Sequence, residues 1–185
     1  MDPRPERRAA AAARLEDIRG SEKAMVLVRW GAVLFALIQV LAYDSRPYPS
    51  GTRTLALALV AILAVANVII WIMASRELDL AEARGLSLAA MTTDLVVASG
   101  FVWLYAFDPV SALWAVLFIL PLEGAIRFAL PGALIAWGVT AVLYVGREVW
   151  GSATYGYPLE WNSVSFRMGI GFLIALVAGM MARSL

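Results

Sequence analysis

The sequence predicts an all-α integral membrane protein: a six-helix bundle with both termini in the cytoplasm and a cytosolic N-terminal helical arm. Three observations lead there. The 185-residue chain is 62% hydrophobic with a mean hydropathy of +0.77, where a soluble domain is about 45–50% apolar. The apolar residues fall in blocks of about 20, the length that crosses a hydrocarbon core of about 30 Å as a helix. The blocks are separated by short stretches rich in charge, proline and glycine.

Residues 1–23 are polar and precede any apolar run, so they read as a cytosolic arm and not as a signal peptide. The run of alanines makes that arm helical from Arg7 to about Ile18. The transmembrane domain follows over 24–183, with helices expected at about 24–42, 54–74, 86–107, 110–128, 132–149 and 164–182. "DSRPYPSGTR" is a turn-rich outer loop, "SRELDLAEARG" an inner one, and Asp108–Pro109 a tight outer turn. Residues 150–163 form the longest outer segment and hold Trp150, Tyr155, Tyr157 and Trp161, residues suited to a membrane–water interface.

The basic residues set the orientation. With the N-terminus inside, Arg4, Arg7, Arg8, Arg14, Arg19, Lys23, Arg29, Arg76, Arg84, Arg127 and Arg183 lie in inner segments. Only Arg46, Arg53, Arg147 and Arg167 lie in outer ones. An even number of crossings returns the C-terminus to the same side. The chain is therefore expected in a bacterial cytoplasmic membrane with lipid as its main surroundings.

Within the apolar blocks, "LFILPLEGAIRFALPG" (117–132) stands out for its two charges and two prolines. Counting from the Asp108–Pro109 turn puts Asp94 and Glu123 at nearly the same height, with Asn67 and Thr140 near that level and Arg127 one turn from Glu123. A carboxylate facing lipid at such depth costs at least about 2–3 kcal/mol. These five residues are therefore expected to form an inward polar layer, with Arg127 bridging both acids. Such a layer clamps helices together or takes part in sensing and signal transfer; the sequence leaves both open.

A second polar group is expected at the outer face: Gln39, Tyr43, Trp103, Arg147, Glu148, Glu160, Trp161 and Arg167. It reads as a pocket for a small amphiphile or lipid head group, or as snorkelling charges with an aromatic belt. Gly31, Gly169, Gly171 and Gly179 mark places where helices can approach closely. The chain has neither cysteine nor histidine. It carries no phosphate-binding glycine loop, no zinc-protease motif, no serine elbow and no acidic array with metal spacing. No catalytic constellation, cofactor, metal or nucleic-acid partner is expected.

The stretches 104–137 ("LYAFDPVSALWAVLFILPLEGAIRFALPGALIAW"), 29–43 ("RWGAVLFALIQVLAY") and 155–179 ("YGYPLEWNSVSFRMGIGFLIALVAG") resemble the N-terminal membrane modules of bacterial sensor proteins. The likeness is to actinobacterial-type sensor histidine kinases of two-component systems and to GGDEF diguanylate cyclases, over residues 25–183. The resemblance implies a signal-input domain ahead of a cytosolic output enzyme, with the signal passed through the last helix, and a homodimer formed through that helix. The chain stops three residues after the last helix is expected to enter the cytosol, where a natural membrane protein could end and where a module cut from a longer protein would end too. Two other classes fit the composition: the substrate-capture subunit of an energy-coupling-factor-type transporter, and an envelope scaffold with no ligand.

Overall fold

The structure, a computed structural model, describes residues 4–42 and 48–184, without the side chains of 4–11, 14, 17, 183 and 184. It is helical, with no strand among the described residues. The elements are α1 (Arg4–Ala42), α2 (Thr52–Ala74), α3 (Leu80–Leu104), a 3-10 helix (Ala112–Phe118), α4 (Ile119–Tyr155) and α5 (Trp161–Ser184). Five segments are long and apolar enough to cross a membrane: Ile18–Ala42, Thr52–Ala74, Leu80–Leu104, Ala112–Tyr155 and Trp161–Ala182. The sequence led us to expect six. The two helices expected at 110–128 and 132–149 fall within one of these segments.

The ends of the elements follow local chemistry. Gly51, at φ 87°, supplies the left-handed turn before α2, and Gly156, at φ 76°, closes α4. The side chain of Asp79 accepts from the Glu82 amide while Glu82 accepts from the Asp79 amide, a reciprocal cap that starts α3. Ser111 caps the 3-10 helix through the Leu113 amide. Pro121 stands in the first turn of α4, where a missing N–H costs little. The arm and the first apolar block form one uninterrupted helix, α1, about 58 Å long at the usual rise.

α4 is not a straight rod. Ala129 breaks it at φ 52°, ψ −148°, a region that side chains rarely occupy. Pro131 has no N–H to give the preceding turn, and its ring disfavours a helical residue before it. The chain doubles back at this point. Gly124 and Gly132 would lie about 12 Å apart on a continuous helix, yet a Cβ on Gly124 would fall 2.5 Å from the Gly132 carbonyl oxygen. Leu120 and Tyr144 share one core cluster, with Val102, Leu117 and Val164. α4 thus has an N-terminal limb (119–128) and a C-terminal limb (130–155) lying side by side.

α1, α2 and α3 pack in sequence around Val33, Val40, Ala56, Val60, Leu63, Val97 and Phe101. α5 lies along α4, with Ala175 against Ala125 and Ala133. α1 meets α4 over only a short contact. Large apolar side chains such as Leu27, Leu34, Val96, Val142 and Phe166 point outward from these helices, the surface expected of a bundle whose solvent is lipid.

The reversal makes its own prediction. Gly124→Ala should lower stability by about 1–3 kcal/mol, because its Cβ would meet backbone that cannot yield. Gly138→Ala, with open space around it, should be neutral or mildly stabilising. Ala129→Gly should be stabilising by about 1 kcal/mol through relief of strain. Thermal unfolding in detergent micelles reads all three.

Candidate functional site

The candidate site is a layer of buried ions where α1, α3 and the N-terminal limb of α4 meet. α1 contributes Glu22 and Arg29, seven residues and so about two turns apart on one face. α3 contributes Ser87 and Asp94 at the same spacing. α4 contributes Glu123 and Arg127 at i,i+4. Glu22 is 1% exposed, Arg29 2%, Asp94 8% and Glu123 4%, and the Arg127 side chain is 1% exposed.

Both guanidiniums present their Nε–Nη2 edge to a carboxylate. Arg29 donates from Nε to Asp94 Oδ1 and Oδ2 at 2.9 and 2.8 Å, and from Nη2 to Oδ2 at 2.6 Å. Arg127 donates from Nε to Glu22 Oε1 at 2.8 Å and from Nη2 to Oε2 at 3.2 Å. Its remaining Nη1 reaches Glu123 Oε2 at 3.1 Å. Ser87 Oγ donates to Glu22 Oε1 at 2.6 Å. Arg29 Nη1 is buried without a hydrogen-bond partner, 3.9 Å from Glu22 Oε2. The planar five-donor fork is why arginine, and not lysine, suits this arrangement.

Four of the five residues expected in the polar layer stand at or beside this site. Asp94, Glu123 and Arg127 belong to the network. Asn67 is buried at the same level of α1 and donates from Nδ2 to the Val26 carbonyl at 3.1 Å. Thr140 is buried on the C-terminal limb and donates to the Trp137 carbonyl of its own helix, outside the network. Arg127 bridges Glu123 and Glu22, not Glu123 and Asp94 as the sequence suggested; Asp94 takes Arg29 instead. Glu22 was missed because it precedes the first apolar block, and Arg29 because it stands near the start of that block, where a snorkelling charge is ordinary. The signal was present: on one helix, Glu22, Arg29 and the buried Met25, Val26 and Val33 share a single stripe at helical spacing.

The outer group gathers only in part. Arg147 is 4% exposed and Glu148 5%. Arg147 donates to the carbonyls of Val102, Tyr105 and Asp108 at 3.3, 2.9 and 3.2 Å, and to Glu148 Oε1 at 2.5 Å. It therefore serves carbonyls at and just beyond the C-terminus of α3, where a cation is favoured. Arg167 of α5 donates to the Tyr144 hydroxyl at 2.5 Å, lies 3.8 Å from Glu148, and stands 4.8 Å over the Trp114 ring. Trp103 stacks on Trp150 at 5.6 Å. It lines an open apolar groove of about 300 Å³ with Leu95, Val96, Ser99, Gly100 and Leu143. Glu160 is exposed and accepts from Ser163; Trp161 and Gln39 are exposed. Tyr43 lies outside the described residues. In the loop before α5, burial pushes the Tyr157 phenol above its usual value, opposed by the charge of Arg147.

Of the glycines, Gly171 seats Phe118 and Trp137, and Gly179 seats Leu130, while Gly31 and Gly169 face open space. No family model, no curated protein and no solved structure matches the chain.

Removing one partner of a buried ion pair leaves the other charge uncompensated, at a cost of about 3–5 kcal/mol. Glu22→Gln and Asp94→Asn should each destabilise on that scale, whereas replacing Arg29 and Asp94 together by Met and Leu should restore most of the loss. Chemical or thermal unfolding in lipid-like detergent measures the series.

Proposed function

We propose that this chain is the membrane-embedded sensory input module of a bacterial signalling protein, set in the cytoplasmic membrane with six crossings and both termini inside. In this reading α5 carries a conformational change to a cytosolic output domain of the histidine kinase or diguanylate cyclase kind, and pairs with its copy in a homodimer. The break at Ala129 supports six crossings, since each limb of the Ala112–Tyr155 segment then spans once. The bias of arginine and lysine towards the inner segments supports the orientation.

The observation that carries the reading is the placement of α5. It packs chiefly on α4, and its contacts run from the outer polar group to the reversal of α4. Arg167 engages Glu148, Tyr144 and Trp114 at the outer end. Gly179, about 18 Å further along, rests on Leu130 beside the reversal, across the break at Ala129 from the limb that carries Arg127. Rearrangement of the outer cluster therefore biases where α5 sits at the inner end, and shifts of about 1–2 Å suffice for signalling helices. Phe166, Leu173, Val177 and Met180 leave α5 an exposed apolar face for a second copy. The outer charges engage one another and the α3 carbonyls, which fits a signalling clamp better than an open capture site for a transported solute.

Two experiments test this. The chain has no cysteine, so single cysteines report topology cleanly. Ser50→Cys and Thr154→Cys should react with an impermeant maleimide in intact cells, and Ser75→Cys only after permeabilisation; protection of Thr154→Cys would mean that α4 crosses once. Fusing α5 to the coiled coil of a diguanylate cyclase and inserting one to seven residues at the junction should make output rise and fall with a period of about 3.5 residues. Output indifferent to phase would leave the scaffold reading.

A further inference from the structure

The buried layer holds three carboxyl groups and two guanidiniums. The two forks decide how they divide. Arg29 gives its Nε–Nη2 edge to Asp94 and Arg127 gives the same edge to Glu22, so each cation has a full carboxylate partner. Glu123 is the carboxyl left over. It receives one donor, Arg127 Nη1, and it lies against Asp94 within electrostatic and hydrogen-bonding reach. Three buried carboxylates against two guanidiniums leave one negative charge uncompensated, which burial disfavours. α1 presents Glu22 and Arg29, α3 presents Asp94, and α4 presents Arg127. At this level α2 offers the uncharged Asn67, and α5 offers Ala175 and Gly179 to the limb. Among the described residues no third cation pairs with these acids.

The geometry points to Glu123 as a proton-binding site, a buried carboxylic acid that holds one proton between itself and Asp94 and exchanges it with water. The O–H of Glu123 donates to the Asp94 carboxylate, while its carbonyl oxygen keeps the bond from Arg127. Loss of the proton to water leaves both groups anionic, with one negative charge uncompensated, and the layer must then open or draw in a cation. Two further observations fit an exchangeable site. Arg29 Nη1, fully buried and without a partner, is aimed at Glu22, so a donor stands ready when the carboxyls rearrange. A cavity of about 10 Å³, room for about one water, lies between α1, the end of α2 and the start of α3, and is lined by Arg19 and Glu22. Arg19 Nε is also buried there without a partner. That cavity is bordered by Leu78 of the α2–α3 loop on one side and Glu22 of the layer on the other.

The site stands on the network alone. Only its use as a stimulus, by which cytoplasmic pH or proton flow would set the packing of α1 on α4, rests on the signalling reading. Infrared titration of the full chain in lipid nanodiscs reads the proton without reading any signal. A protonated carboxyl C=O band should be present at neutral pH. It should shift with ¹³C-glutamate but not ¹³C-aspartate, vanish in Glu123→Gln, and persist in Glu160→Gln. Glu123→Gln mimics the protonated acid, so it should keep the wild-type unfolding temperature at neutral pH and remove the fall in that temperature at alkaline pH. Absence of the band at neutral pH, a band that follows the aspartate label or survives Glu123→Gln, or failure of Glu123→Gln to fold would each overturn the assignment.

Discussion

The structure depends on a charge constraint: five ionisable groups buried together within about two turns of an apolar bundle must satisfy one another. α1 touches α4 only briefly, and the Arg127–Glu22 fork is what ties them there. The Arg29–Asp94 fork ties α1 to α3. In a lipid surrounding there is little hydrophobic drive for helices to associate, so polar contacts and close packing carry specificity. The network therefore sets the register of α1 against the rest, and the alanine and glycine contacts of α4 with α5 set that of the other half.

The reversal at Ala129 is the second constraint. It puts Glu123 and Arg127 at the height of Asp94, and Tyr144 and Arg147 at the height of Val102 and Tyr105. Without it the two polar groups of α4 would be displaced along one axis by about 36 Å, and neither could meet its partners on α3. Proline at 131 and glycines at 124 and 132 are the residues that permit so tight a return.

Much of this was legible in the sequence. The length and spacing of apolar blocks pointed to an all-helical membrane bundle, although six spans were expected where five segments are long and apolar enough, and counting from Asp108–Pro109 put Asp94 and Glu123 at nearly the same height. Other parts were hidden for physical reasons. The boundary between arm and membrane is defined by composition, but a helix does not stop where its surroundings change. Glu22 therefore read as part of a solvated arm although tertiary contact buries it. Which carboxylate each arginine takes depends on side-chain reach across helices, which no spacing along one helix specifies. The outer residues divided likewise. Arg147, Glu148 and Arg167 face inward through their helices, whereas Gln39, Glu160 and Trp161 share their height but not their face.

The central claim is that Glu22 of α1 and Arg127 of α4 hold these helices together, and a double-mutant cycle tests it most directly. Unfolding free energies of the wild type, Glu22→Gln, Arg127→Met and the double variant should give a favourable coupling of at least about 1 kcal/mol, in the range found for contacting residues. Additivity within about 0.3–0.5 kcal/mol would show that the two residues do not meet, and would contradict the account.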